Sequence, residues 1–196
     1  SRLTGATSPL ARHMVCLGNQ TSGDYRTTLA PLWEFTIMGW GVRQLSPVTI
    51  GAVTLSAAKL SLRELVTGDI NATVPTGGLL ITIDNCSTGL ISTNTTGEPI
   101  VVRIGGSLGD GVDSFASSVT GLVNIDGGTG SRLDAFLTDF SGNVTVSGDG
   151  CFISKSRTQL DVTTSGNAQC FDSVVDNVTA GNITYQDCML TGAPAA

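Results

Sequence analysis

Two aspartates, Asp113 and Asp134, stand at a spacing of 21, and Lys155 falls at the next such interval. In a chain that coils with that period they would lie on neighbouring turns, one strand spacing of about 4.8 Å apart. A carboxylate pair about 5 Å apart is what a retaining glycosidase needs for its acid and its nucleophile. Like charges that close would also split their pKa values. The same spacing builds an outward polar ladder with Lys155 and Arg132 as counter-ions, an arrangement that is common and adds little stability. The ladder is the favoured reading, and Asp113 and Asp134 stand as the only candidates for catalysis.

Other chemistry is sparse. The run Asp126-Gly127-Gly128-Thr129-Gly130 is similar to one unit of a glycine-rich calcium repeat, but it occurs once, whereas calcium solenoids repeat it in consecutive turns. The remaining aspartates sit mostly beside Gly or Asn and read as turn residues, so neither a metal nor a cofactor is expected. There is one histidine, His13, too few for a metal triad and placed in an irregular lead-in. Seven of the nine asparagines (19, 71, 85, 94, 143, 177 and 182) begin an N-x-Ser/Thr sequon, which a turn Asn followed by a Val-Thr strand produces automatically. Five cysteines, at 16, 86, 151, 170 and 188, cannot all pair within one chain. None has C-x-x-C spacing, so buried thiols are expected, with disulfides between coils as the alternative. Trp33, Trp40 and Tyr25 are the candidate ligand-binding aromatics, able to stack on sugar rings, although an alternating strand around Trp33, Phe35 and Ile37 favours burial of the tryptophans.

The elements that would position these residues follow a ruler. Leu60-Ser61-Leu62, Ile81-Thr82-Ile83, Val102-Arg103-Ile104, Val123-Asn124-Ile125 and Val144-Thr145-Val146 succeed one another at a constant interval of 21. An apolar-polar-apolar triplet is the minimal strand signal, and its recurrence marks a stacked repeat too short for helical pairs. Further columns are read at Ile91, Val112 and Leu133 and at Phe115 and Phe136. The expected fold is all-β: a parallel β-helix, or β-solenoid, of about seven coils. After Val146 the register slips to 18 at Val162 and returns to 21 at Ile183. Residues 1–57 are expected to form an irregular N-terminal β cap or attachment segment, 58–190 the solenoid, and 191–196 a frayed tail. A jelly roll explains the alternation but not the interval, and an intertwined triple-stranded β-helix of three chains shares the composition.

Composition agrees with an all-β chain. There are 26 Thr, 19 Ser and 25 Gly, thirteen Asp against three Glu, and two Lys. The net charge is −6 with scattered basic residues, which argues against nucleic-acid binding. No apolar run is long enough to span a membrane as a helix. The chain opens at Ser1 without Met, as an excised or tagged fragment would.

The 21-residue coils, with Thr/Val/Ile strands, Gly/Asp/Asn corners and few lysines, resemble the tailspikes and tail fibres of bacterial viruses. Second, they resemble the pectin-lyase-like β-helix enzymes. The resemblance is architectural, covers about residues 58–190, and brings no catalytic motif. The first family implies a rigid homotrimeric shaft at the virion surface, outside the cell, that contacts other virion proteins and binds cell-surface polysaccharide without cleaving it. The second implies a depolymerase, for which the 21-residue spacing offers Asp113 and Asp134. An extracellular adhesin module is a third reading. An ice-binding solenoid is a fourth, opposed by Arg103 and Asn124 in the outward column Ser61, Thr82, Arg103, Asn124 and Thr145.

Overall fold

The computed structural model describes residues 11–17, 21–22, 25–26, 34–40, 48–56, 59–74, 76–93, 97–106 and 117–192, and all statements below concern those. It is a parallel β-solenoid of triangular section. Its strands fall into three parallel sheets of nine, nine and eight, and no helix occurs among the described residues. The chain visits the first, second and third sheet in turn and then climbs one rung. The first sheet stacks Ala11–Leu17, Glu34–Trp40, Lys59–Arg63, Leu79–Asp84, Ile100–Gly105, Arg132–Phe136, Gly150–Ser154, Asn167–Phe171 and Asn182–Gln186. The first sheet has seven rungs from Lys59 onward and two more before residue 58, where strands extend all three sheets, making nine among the described residues.

Alternation sets which side chains enter the core. In the first sheet the inward columns are Leu60, Ile81, Val102, Leu133, Cys151 and Ala168, and Leu62, Ile83, Ile104, Ala135, Ile153 and Cys170. In the third sheet one column is β-branched throughout, from Val53 through Ile70, Ile91, Val123, Val144 and Val162 to Val178. Such side chains suit a pleated surface packed on both neighbours. On the last described rung Ile183 and Tyr185 continue the first sheet's core columns but are 38% and 39% exposed, because no described rung covers them.

The ruler spans two sheets. Leu60, Ile81 and Val102 do stack at intervals of 21, but the ladder partner of Val102 is Leu133, at an interval of 31. Val123 belongs to the third sheet, where it pairs with Ile91 below and Val144 above. Ten extra residues, 107–116, enter between Gly105–Gly106 and Ser117. In a regular coil the step from the first to the third sheet is also ten residues, as from Ile81 to Ile91. An insertion of that length leaves the hydrophobic phase intact while moving it to another sheet. The proposed column of Ile91, Val112 and Leu133 therefore fails, since Ile91 and Leu133 occupy different sheets. Val112 and Phe115 lie outside the described residues.

Later coils shorten. The first-sheet interval is 18 from Leu133 to Cys151, 17 to Ala168 and 15 to Ile183. The slip of three arises at the corner from third to first sheet, where residues 127–131 fill one rung and 148–149 the next. Val162 does follow Val144 at 18, but its successor is Val178, not Ile183. The glycine-rich run at Asp126 forms that longer corner. There the buried Ser131 Oγ accepts the Ile100 N–H, and the Gly130 N–H donates to Asp149 Oδ1. No cluster of three metal-ligating side chains occurs among the described residues.

The corner from first to second sheet is held by two ladders. Glu64, Asn85, Leu137, Lys155, Asp172 and Asp187 occupy it with φ between 45° and 55°, the left-handed region, and Gly106 takes the same place with φ 140°. One residue later comes an inward position, taken by Leu65 after Glu64 and by a small polar or thiol side chain after the other corner residues. Ser117, Thr138, Ser156 and Ser173 are buried there and donate to the carbonyl two residues earlier on the same rung or, for Ser117, to Gly105. Cys86 and Cys188 donate through sulfur to Asp84 and Gln186 in the same way. The Thr138 N–H in turn donates to Ser156 Oγ, and the Ser156 N–H to Ser173 Oγ. Buried corner amides, which would be costly unpaired, are thus satisfied from rung to rung.

Candidate functional site

The outer face of the first sheet gathers the polar and aromatic side chains that the core excludes. Two outward columns matter. One runs Ser61, Thr82, Arg103, Asp134, Phe152, Gln169 and Thr184; the other runs Arg63, Asp84, Gly105, Phe136, Ser154, Phe171 and Gln186. Between them lies a shallow groove of about 320 Å³, lined in part by Thr82, Asp84, Arg103, Asp134, Phe136 and Phe152. Its middle is open because Gly105 has no side chain. A Cβ at that position would sit 3.0 Å from the Phe136 carbonyl oxygen.

At the upper end three phenylalanines lie on the surface. Phe136 and Phe152 are 43% and 39% exposed. The Phe152 and Phe171 rings stand 5.3 Å apart, tilted by 34°. The Lys155 Nζ lies 5.9 Å from the Phe136 ring centre. These residues occupy outward ladder positions, where burial would require turning the strand over. Exposed aromatics clustered in this way mark a contact surface more often than chance.

At the lower end charges pair both across rungs and, for Arg132 with Asp134, within one. Arg63 contacts Asp84 at 3.0 Å. Asp134 Oδ2 lies between two guanidinium groups, 3.1 Å from Arg132 Nε and 3.6 Å from Arg103 Nε. All three arginines are about half exposed. Exposed pairs of this kind contribute about 0–1 kcal/mol each, so they shape the face more than they stabilise it. A tighter pair, Arg157 with Asp139 at 2.6 Å, sits on the second sheet, away from the groove. Burial would raise the Asp139 pKa, but hydrogen bonds from Arg157 and Gln159 and the Arg157 charge outweigh it and hold the carboxyl below its ordinary value.

Of the residues singled out in the sequence, Asp134 falls within this groove. Its ladder neighbours are Arg103 and Phe152, not the aspartate one ruler interval before it. Asp113 and Trp33 lie outside the described residues. Tyr25 and Trp40 stand in strands Tyr25–Arg26 and Glu34–Trp40, their side chains outside what is described. Lys155 is at the corner above the groove. The aromatic strip was missed, because Phe136, Phe152 and Phe171 recur at intervals of 16 and 19, off the ruler. The shortened coils make those spacings neighbours.

Four of the five cysteines have described side chains. Cys86, Cys151 and Cys170 are buried free thiols, and Cys188 is half-buried and free. Burial pushes the first three up to about 12, away from the thiolate that a nucleophile needs. Asn85, one of the sequon asparagines, is a half-buried corner residue whose Nδ2 donates to Glu64 Oε1.

No helix among the described residues is long and apolar enough to cross a membrane. No protein-family model matches the chain, and neither a curated protein nor a solved structure matches it. The chain is a parallel β-solenoid, and the geometry of its first-sheet face is the ground on which its function is read.

Proposed function

We propose that this chain is a rigid extracellular display module of the virion-fibre kind that binds a cell-surface glycan without cleaving it, using the outer face of the first sheet. The observation that carries this reading is the strip of Phe136, Phe152 and Phe171 beside a groove edged by Arg103, Asp134 and Asp84. Sugar rings present an apolar face and a polar rim. A site for them needs flat apolar side chains next to a few placed hydrogen-bonding groups. The groove is shallow and open, suited to a polymer lying along the rungs more than to a small molecule enclosed by walls. A single shallow site binds weakly, and a homotrimeric shaft would add avidity by presenting three together.

The test is a glycan array probed with the chain and with Phe152→Ala. Binding by the parent and at least a tenfold loss in the variant, with unchanged far-UV circular dichroism, is the expected result. Equal binding by both, or no binding by the parent, removes the reading. Of the pair on which the depolymerase reading rests, Asp134 lies in this groove and Asp113 outside the described residues. The other groove aspartate, Asp84, stands two rungs from Asp134, about 10 Å by strand spacing. Both groove aspartates are already ion-paired with arginine. New reducing ends released from a bound glycan, and lost in Asp134→Ala, would favour it over non-catalytic display.

A further inference from the structure

We infer that the glycan this face takes is an acidic polysaccharide, whose carboxylates are held by the terminal nitrogens of Arg103 and Arg132. The inference rests on the glycan-binding reading and specifies its ligand class. Both arginines reach Asp134 through Nε, and both reach the same oxygen, Oδ2. One carboxylate thus orients two guanidinium groups by their inner edge. Their outer nitrogens make no hydrogen bond among the described residues, and the side chains are 54% and 48% exposed.

An outward guanidinium fork matches a carboxylate in bidentate geometry, and charge-assisted bonds of this kind are the strong ones. Asp134 is a positioning residue: it fixes two flexible side chains before the ligand arrives, which lowers the ordering cost of binding. The charge balance agrees. Three arginines, 63, 103 and 132, and Lys155 at the upper end stand against two aspartates, 84 and 134, leaving two formal positive charges in excess on a chain whose net charge is −6. Phe152 stands one rung above Asp134 in the same column. A pyranose ring over Phe152 therefore has its rim about one strand spacing, some 4.8 Å, from the Asp134 position. Gln169, exposed on the next rung, is placed to hydrogen-bond a ring hydroxyl.

Single-stranded nucleic acid would also use aromatic stacking and positive charge. It needs a basic track along its backbone, whereas beyond the arginines this face adds one cation, Lys155 beside Phe136, and its column continues as Gln169 and Thr184. The acidic glycan is the better match.

The experiment measures binding of the whole chain to alginate, polygalacturonate, hyaluronate and polysialic acid, each beside its carboxyl-reduced form, with a short thymidine homo-oligonucleotide as a further arm. At least one acidic polymer should bind. Carboxyl reduction, and the double variant Arg103→Gln/Arg132→Gln, should each weaken it about ten- to a hundredfold, as expected for losing charge-assisted bidentate bonds. Added salt should weaken the parent and leave the double variant nearly unchanged. Phe152→Ala should lose both the acidic and the reduced polymer. If acidic and reduced forms bind alike and Phe152→Ala abolishes both, glycan binding stands and the acidic specificity is overturned. If no polymer binds, both readings fall. Tighter binding of the oligonucleotide than of any glycan overturns the inference in favour of nucleic acid.

Discussion

Deleting residues 107–116 is expected to leave the solenoid folded and slightly more stable. The register places Gly106 at the left-handed corner position and Ser117 at the position directly after it, where Cys86, Thr138, Ser156 and Ser173 stand on other rungs. Ser117 Oγ donates to the Gly105 carbonyl at 2.6 Å, the same bond that Ser156 makes to Ser154 and Ser173 to Phe171. The corner is therefore closed without the ten residues, and joining Gly106 to Ser117 reproduces the covalent pattern of its neighbours. Glycine can take the φ near 50° that the other corners use. The chain entropy of closing over ten extra residues costs about 2 kcal/mol, so the deletion should stabilise by up to that amount. For a domain of this size that is a rise in midpoint of up to about 4–8 °C. The assay is thermal unfolding followed by far-UV circular dichroism. If Val123 stacked on Val102 as the bare ruler suggests, the same deletion would put every later strand ten residues out of step. Loss of the cooperative β transition would refute the register described above.

Two further outcomes follow from the corner and the core. Ser156→Ala leaves the buried Thr138 N–H without its acceptor and should cost about 1–3 kcal/mol in urea unfolding, whereas Ser156→Cys should cost less, because Cys86 already fills the equivalent corner site. Equal losses for both would show that the hydrogen bond is not the cause. The buried thiols make stability fall at high pH: Cys86, Cys151 and Cys170 stay protonated in the native state to about 12 but ionise near 9 when exposed. The unfolded chain then binds fewer protons, so stability is full below about pH 9 and declines as pH rises toward 12. Replacing the three by Ala or Val should flatten that decline in denaturation curves, and an unchanged slope would assign it to other groups.

The fold was largely legible because backbone physics repeats. Alternation at Leu60-Ser61-Leu62 and its four successors identified strands, and a fixed short period identified a solenoid. The sheet to which each strand belongs was not legible past Val102. The insertion length matches the step from first to third sheet, so hydrophobic phase alone cannot distinguish them. That change of sheet alters the neighbours of Asp134. The ruler put Asp134 with Asp113, where the ladder neighbour is Arg103. It also merged two surfaces into one outward column. Ser61, Thr82 and Arg103 face out from the first sheet, whereas Asn124 and Thr145 face out from the third. The corner hydroxyls were a missed signal: Thr138, Ser156 and Ser173 follow the shortened coils at intervals of 18 and 17.

The most direct test of the glycan face is the ring-resonance NMR spectrum of the chain during titration with the glycan it selects. The six phenylalanines, two tryptophans and two tyrosines are few enough to assign. The account predicts that Phe136, Phe152 and Phe171 shift together, saturably and with one affinity. Shifts confined to Trp33, Trp40 or Tyr25, with the three phenylalanines unmoved, would place binding elsewhere on the chain and contradict it.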